Sequence, residues 1–299
     1  MIRYLMLPIA ALALSAEIAP PARSGPVLEV ATSAQLAPTL RALAAAYERA
    51  RPGRRVAILA VGSDVAMARF STGRSELAII GRRGHDQELK AYEWIHRKLP
   101  VATPVFRGSV ATPGHSPALA VRVHVDNSLR AITREQLTVA FRAYGDPPRW
   151  TELGAGGPLA QRPVVVVMPW SDGGTGRYLR ASLLAGRVQL DWRRVRERTD
   201  VRAPDLGRDS FGAEIAAAVA RDPAALGLGD ATKYPGTRVL PVVVDGQPRL
   251  PGQPGYPFER EVVAYADPVP RPIAADFAVF ISSAAARAII ARGPYRPLD

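Results

Sequence analysis

Between residues 27 and 80 the chain repeats one unit: a short apolar run, a turn of small polar residues, an amphipathic stretch, then another apolar run. Val27, Leu28 and Val30 make a short strand, and Thr32-Ser33 offers an N-cap for a helix over Leu36–Arg49. Leu36, Leu40, Leu43, Ala44 and Tyr47 follow the helical period there. After the turn Arg51-Pro52-Gly53 comes a strand at Arg55–Val61. Gly62-Ser63-Asp64 then leads into a helix over Val65–Thr72, stopped at Gly73, and the strand Leu77–Ile80 ends in Gly81-Arg82-Arg83. Strand, helix, strand in this order demands a mainly parallel sheet with crossover helices, an α/β fold. It also fixes where a ligand binds: beyond the carboxyl ends of the strands, where helix N-termini present free N–H groups.

The pattern changes downstream. Residues 101–125 read as extended pieces, and Thr133 caps a helix with Glu135 and Gln136 in its first turn. A second α/β unit runs from the strand Val164–Met168 through a loop, Trp170-Ser171-Asp172-Gly173-Gly174-Thr175-Gly176, into a helix over Tyr178–Leu184. Further helices are expected at Leu190–Glu197 and Gly212–Arg221, strands at 239–245 and Glu261–Ala266, and a helix at Ile273–Arg292 interrupted near Ser282-Ser283. Residues 25–100 and 236–299 read as one lobe and 101–235 as a second, each a mixed, mainly parallel sheet flanked by helices.

The N-terminus stands apart. Met1-Ile2-Arg3-Tyr4 is a short basic start, and Leu5–Ala16 is an apolar run too short to span a bilayer as a helix. With the Pro-rich segment up to Ser24 it reads as a secretory signal peptide and leader, residues 1–24, implying export to the periplasm. A buried N-terminal strand or a membrane tether are the other readings. The chain has no cysteine, which excludes disulfides, thiolate metal sites and cysteine nucleophiles. Its 299 residues are enough for about two domains, and its formal charge of +12 favours anionic partners. The arginines form no dense block and no nucleic-acid motif accompanies them, so a nucleic-acid partner is not expected.

Three turns share one chemistry: a strand end, hydroxyl or glycine residues, then a helix. They are Ala31-Thr32-Ser33, Gly62-Ser63-Asp64 and Asp172-Gly173-Gly174-Thr175. Each offers backbone N–H groups and a hydroxyl in front of a positive helix-dipole end, although Ser and Thr are also ordinary N-caps. The third turn lacks the Lys-Ser/Thr pair of a nucleotide-binding P-loop and the spacing of a dinucleotide fingerprint. No Gly-x-Ser-x-Gly elbow occurs. His85, His96, His115 and His124 show no zinc-ligand spacing and read as structural or surface residues. Nothing assembles a nucleophile, base and orienter, so binding without catalysis, cofactor or metal is the expectation.

The order of motifs resembles the periplasmic phosphate-binding proteins of phosphate ABC transporters. The matching stretches are Gly62-Ser63-Asp64…Phe70…Gly73…Glu76-Leu77-Ala78-Ile79; Ile132-Thr133-Arg134-Glu135-Gln136-Leu137…Phe141; Trp150-Thr151-Glu152-Leu153-Gly154; Pro223-Ala224-Ala225-Leu226-Gly227; and Tyr256-Pro257-Phe258…Arg260. The resemblance implies a two-lobe type II periplasmic-binding-protein fold. It also implies a monomer that captures phosphate or a related oxyanion between its lobes for an ABC permease in the inner membrane. By position it carries the ligand donors to Thr32 or Ser33, Ser63, and Gly173-Gly174-Thr175. Two departures mark a divergent member: Pro169 or Trp170 stands where the family has an Arg, and Gly81 where it has an Asp. Arg82 and Arg177 are the candidates to replace the missing cation, each of which could instead be a surface residue. A sensor or protein-interaction module of the same fold, without phosphate binding, is the alternative.

Overall fold

The computed structural model describes residues 27–108, 118–142, 144–184, 190, 193–198 and 210–298. The expected leader, His115 and the extended piece at 109–117 lie outside the described residues. In chain order the elements are β1 (Val27–Thr32), α1 (Ala37–Ala50), β2 (Arg55–Ala60), α2 (Ser63–Ser71), β3 (Leu77–Ile80), α3 (Asp86–His96) and β4 (Val101–Gly108). Then come β5 (Ala120–His124), β6 (Ile132–Thr133), α4 (Arg134–Ala140), β7 (Val165–Pro169), α5 (Gly174–Leu184), β8 (Val195–Arg198), α6 (Ser210–Arg221) and β9 (Ala225–Gly229). The chain finishes with β10 (Thr237–Leu240), β11 (Val242–Val244), β12 (Gln247–Arg249), β13 (Glu261–Ala266), α7 (Pro272–Ile281), α8 (Ala284–Arg292) and β14 (Tyr295–Pro297).

Two mixed sheets flanked by helices make a two-lobe α/β fold. The first has the order β14-β4-β13-β3-β1-β2 and the second β10-β5-β9-β7-β8, with a small sheet β12-β11-β6 beside it. β2, β1 and β3 run parallel, as do β8, β7 and β9; the remaining strands of both large sheets pair antiparallel. Each large sheet has its own core: Leu28, Leu40, Leu43, Tyr47, Phe106 and Phe277 under the first, Trp150, Val166, Met168, Leu226 and Phe258 under the second. The pairing does not change lobe at 100 and 236. β4 belongs to the first sheet, and β10 lies in the second.

The chain passes between the sheets twice, and the passages run side by side. Beyond β4, Ala118 bridges Glu259, and Leu119 N–H donates to Phe258 O at 3.0 Å just before β13 begins. The carboxyl ends of β1 and β3 and the start of β13 share one end of the first sheet, since Val263 pairs with Ile80 and Ala266 with Leu77. This end carries the candidate site. The opposite end, with Val27, Ala266 and Val101, is the base of the first lobe.

Several local expectations need correction. Thr32 is the last residue of β1 and does not cap α1, whose N-cap Leu36 has no side-chain cap bond. The helix expected at Leu190–Glu197 is a turn at 193–194 followed by strand β8. Val195 faces inward and Arg196 outward there, the two-residue period of an edge strand. The single strand expected at 239–245 is two: Pro241 has no N–H for the ladder, and β10 and β11 join different sheets on either side of it. Elsewhere the caps stand as read. Thr133 Oγ1 accepts from Gln136 N–H while Gln136 Oε1 accepts from Thr133 N–H, and Ser283 caps α8 at the break.

Candidate functional site

α2 and α5 begin at one place, from opposite lobes. α2 follows Gly62, whose φ of 85° is open to glycine at little cost. Gly62 N–H and Val61 N–H both donate to Thr32 O, which locks the turn onto the end of β1. α5 starts at Gly174 behind the loop after β7, where Gly173 N–H donates to Trp170 O at 3.1 Å. A methyl group on Gly174 would stand 3.3 Å from Ser63 Cβ and Oγ and 3.7 Å from Arg82 Nε. A methyl group on Gly176 would collide with the carbonyl of Trp170 and lie 2.6 Å from Ser171 Cα, so the loop folds back over the first helical turn only because Gly176 has no side chain. Two helix N-termini, each with unsatisfied N–H groups and a positive dipole end, therefore face one small volume.

Arg82 stands at that junction and is almost wholly buried, with 3% exposure. Its Nη1 donates to Glu88 Oε2 at 2.7 Å and Arg83 O at 3.0 Å; its Nη2 donates to Asp64 Oδ1 at 2.6 Å and Glu88 Oε1 at 2.7 Å. Burial works against the charge, but Glu88 and then Asp64 outweigh it and hold the guanidinium above its ordinary pKa. Arg82 Nε is buried and has no hydrogen-bond partner.

From the second lobe, Arg177 bonds through Nε to Asp172 O at 2.7 Å, and the same atom is 3.7 Å from Asp64 Oδ2. Its Nη1 is 3.3 Å from His85 Nε2. His85 caps α3: its Nδ1 accepts from Glu88 N–H at 3.4 Å, and Glu88 Oε2 accepts from His85 N–H at 3.1 Å. A neutral imidazole has one acceptor nitrogen, so Arg177 and the α3 cap compete for it. Burial lowers the His85 pKa from 6.5; Arg82 and Arg177 push the same way and Glu88 opposes them. Asp64, His85 and Glu88 offer ligand atoms within 4.8 Å of one another. Arg82 already binds both carboxylates, so a metal ion would have to displace it.

The sequence-derived candidates divide. Thr32 is fully buried and its hydroxyl donates to Ile79 O at 2.6 Å, inside the sheet, where it has no proton left for a ligand. Ser33 is half-buried, and its carbonyl accepts from Leu36 and Ala37 N–H. Ser63, Gly174, Arg82 and Arg177 come together. Gly173 lies in the turn behind them, and its carbonyl accepts from Arg177 N–H at 2.8 Å. Thr175 Oγ1 accepts from Arg260 Nη1 at 2.9 Å, which leaves its own proton to donate. Sequence reasoning missed three members: Glu88, His85 and Arg260. Their signals were a His-x-x-Glu cap before a helix and the last residue of the Tyr-Pro-Phe-x-Arg turn. Gly81 gives no acid, but Asp64 and Glu88 bring two carboxylates to the same place.

Residues 18–284 match the PBP superfamily domain. The chain belongs to that superfamily. The phosphate-binding protein PstS of Pseudomonas aeruginosa is 31% identical over 144 residues, 46% of this chain and 42% of that protein, so the chain spans less than half the curated relative's length. Among solved structures, an ABC-type phosphate transport receptor from Vibrio cholerae aligns at TM-score 0.65 and 16% identity, covering 91% of this chain and 100% of that one. A putative phosphate ABC transporter substrate-binding protein from Clostridium perfringens, with bound phosphate, aligns at TM-score 0.59 and 17% identity over 91% and 100% of the two chains. At these identities the structures establish the superfamily member's fold. Among its described residues no single helix is long and apolar enough to cross a membrane.

Proposed function

We propose that this superfamily member is an exported, monomeric solute-binding protein that holds phosphate or a related tetrahedral oxyanion between its lobes. In this reading it delivers the anion in the periplasm to an ABC permease of the inner membrane. One observation carries the reading: two helix N-termini from different lobes meet at a buried arginine whose Nε lacks a partner. Ser63 and Thr175 supply hydroxyl donors, the first turns of α2 and α5 supply N–H groups, and Arg82, Arg177 and Arg260 supply positive charge. Asp64 and Glu88 keep the site from becoming a sink for any anion. The similarity to phosphate-binding PstS favours phosphate within the oxyanion class.

The paired passages at 118–119 and 258–259 are the hinge in this reading, and Arg177 beside Asp64 and His85 is the contact that closes the cleft. Binding proceeds without turnover. Calorimetric titration with phosphate, sulfate and molybdate tests it; saturable binding of at least one is expected, and none would end the reading. Thr175→Val should weaken the bound oxyanion by about 1–3 kcal/mol, the cost of unpaired buried groups.

A further inference from the structure

His85 stands where the two lobes touch, and it faces more donors than it can accept from. It precedes α3 in the first lobe, and Arg177 of α5 comes to it from the second. Both ring nitrogens face an N–H group: Glu88 N–H lies 3.4 Å from Nδ1, and Arg177 Nη1 lies 3.3 Å from Nε2. A neutral imidazole accepts at one nitrogen, and an imidazolium at neither. Glu88 Oε1, 3.4 Å from Nε2, is the acceptor available to the second proton. The charged groups around the ring come from four places. Glu88 lies on α3 itself, Arg82 follows β3, Asp64 is in the first turn of α2, and Arg177 belongs to α5. The two carboxylates favour a charged imidazole and the two arginines oppose it. Arg82 is fixed by its bonds to Glu88 and Asp64, so its effect on the ring is constant. Arg177 belongs to the other lobe, so its effect depends on closure.

We propose that His85 is a pH-sensitive latch between the lobes: neutral, it accepts a hydrogen bond from Arg177 and the cleft closes on its anion; protonated, it repels Arg177 and closure is disfavoured. This rests on the binding reading above and adds its regulation, release of the bound oxyanion as the medium turns acid. Linkage gives the sign. Arg177 approaching on closure disfavours the imidazolium, so closure releases a proton, and affinity falls as pH falls through the His85 titration. A His85 that held the anion directly would do the opposite, because its positive charge would strengthen binding in acid. Asp64 Oδ2, 3.7 Å from Arg177 Nε, attracts Arg177 in either state, so the latch weakens closure without abolishing it.

Calorimetric titration of the parent, His85→Asn and Arg177→Gln with sulfate and with phosphate, at about pH 7.5 and about pH 5.5, tests it across the range in which histidine titrates. Sulfate keeps its charge over that range. Phosphate does not, but its ionisation is common to parent and variants and cancels in their ratio. Asparagine is itself a good N-cap, so α3 keeps its start in His85→Asn. On acidification the parent should lose about fivefold more affinity than His85→Asn, the effect of two screened unit charges about 4 Å apart. Arg177→Gln should lose no more than His85→Asn, because no charge is left to repel. Equal losses in parent and His85→Asn overturn the proposal, and so does a parent that gains on the variant in acid. An Arg177→Gln that keeps the parent's extra loss also overturns it, since His85 would then act through the α3 cap alone. Absence of oxyanion binding at either pH ends the binding reading and this one with it, whereas binding with matched pH profiles overturns this one alone.

Discussion

Replacing Arg82 with Met separates its structural role from its role toward a ligand. The side chains have similar length, so packing changes little, but Glu88 loses both of its bonds to the guanidinium. Glu88 is only 10% exposed, and leaving a buried charge without its partner costs about 3–5 kcal/mol. Asp64 is 39% exposed, so water screens its loss and it adds no more than about 1 kcal/mol. Glu88 therefore dominates, and a chain of this size should lose roughly 6–20 °C in melting midpoint. Thermal unfolding gives the midpoint and urea unfolding the free energy, both followed by far-ultraviolet circular dichroism, with attention to the first transition if the lobes unfold separately. Adding Glu88→Met should restore most of the loss, because apolar replacement of a buried ion pair is often neutral. Neither variant should bind oxyanion. A single variant costing less than about 1 kcal/mol would refute the reasoning, showing that Arg82 is not committed to Glu88.

Two glycines should respond with opposite signs. Gly176→Ala forces a methyl group into the backbone at Trp170 and Ser171, and should lower stability by about 1–3 kcal/mol despite alanine's better helix propensity. Gly174→Ala presses only on Ser63 of the other lobe, so it should leave the melting midpoint level or raised while weakening oxyanion binding in calorimetry. The lowered pKa of His85 gives a pH prediction. Between its folded value and 6.5 the unfolded chain binds more protons, so His85 makes stability fall as pH falls through that window. Urea midpoints at about pH 7.5 and about pH 5.5 should therefore differ less in His85→Asn than in the parent. Ser283→Ala should cost about 1 kcal/mol through loss of the α8 cap, read by the same unfolding assay.

What the sequence made legible was what depends on neighbours in the chain. The β1-α1-β2-α2-β3 run follows from hydrophobic period and turn chemistry alone, and β13 matches its expected bounds. Motif residues such as Trp150, Leu153 and Gly227 serve the core. Trp150 Nε1 donates to Ala224 O, and a methyl group on Gly227 would meet Val219 and Ile215 of α6 at 2.7 and 2.8 Å. Strand β8 was not legible. Four residues with one apolar member carry no decisive period, and pairing with β7 makes them a strand.

The cation of the site shows the same limit at the level of chemistry. From sequence alone Arg82 and Arg177 are equal candidates: Arg82 follows the end of a strand at Gly81, and Arg177 follows the glycine turn at 173–176. What separates them is three-dimensional. Arg82 is fixed by Glu88, six residues on and one element away, and by Asp64 from the first turn of another helix, which leaves one buried N–H group unpaired. Arg177 comes from the other lobe, where it bonds to Asp172 O and lies beside Asp64 and His85; in the proposed reading these last two contacts form on closure. One arginine is therefore preorganised and the other conditional. A site built this way holds a fixed donor ready in the first lobe and adds the second on closure, so the second lobe's contribution to affinity should vanish in any variant that cannot close. Gly174→Ala presses on the same contact between lobes, and combining it with Arg177→Gln should weaken binding by less than the sum of the two single losses, because both act through closure.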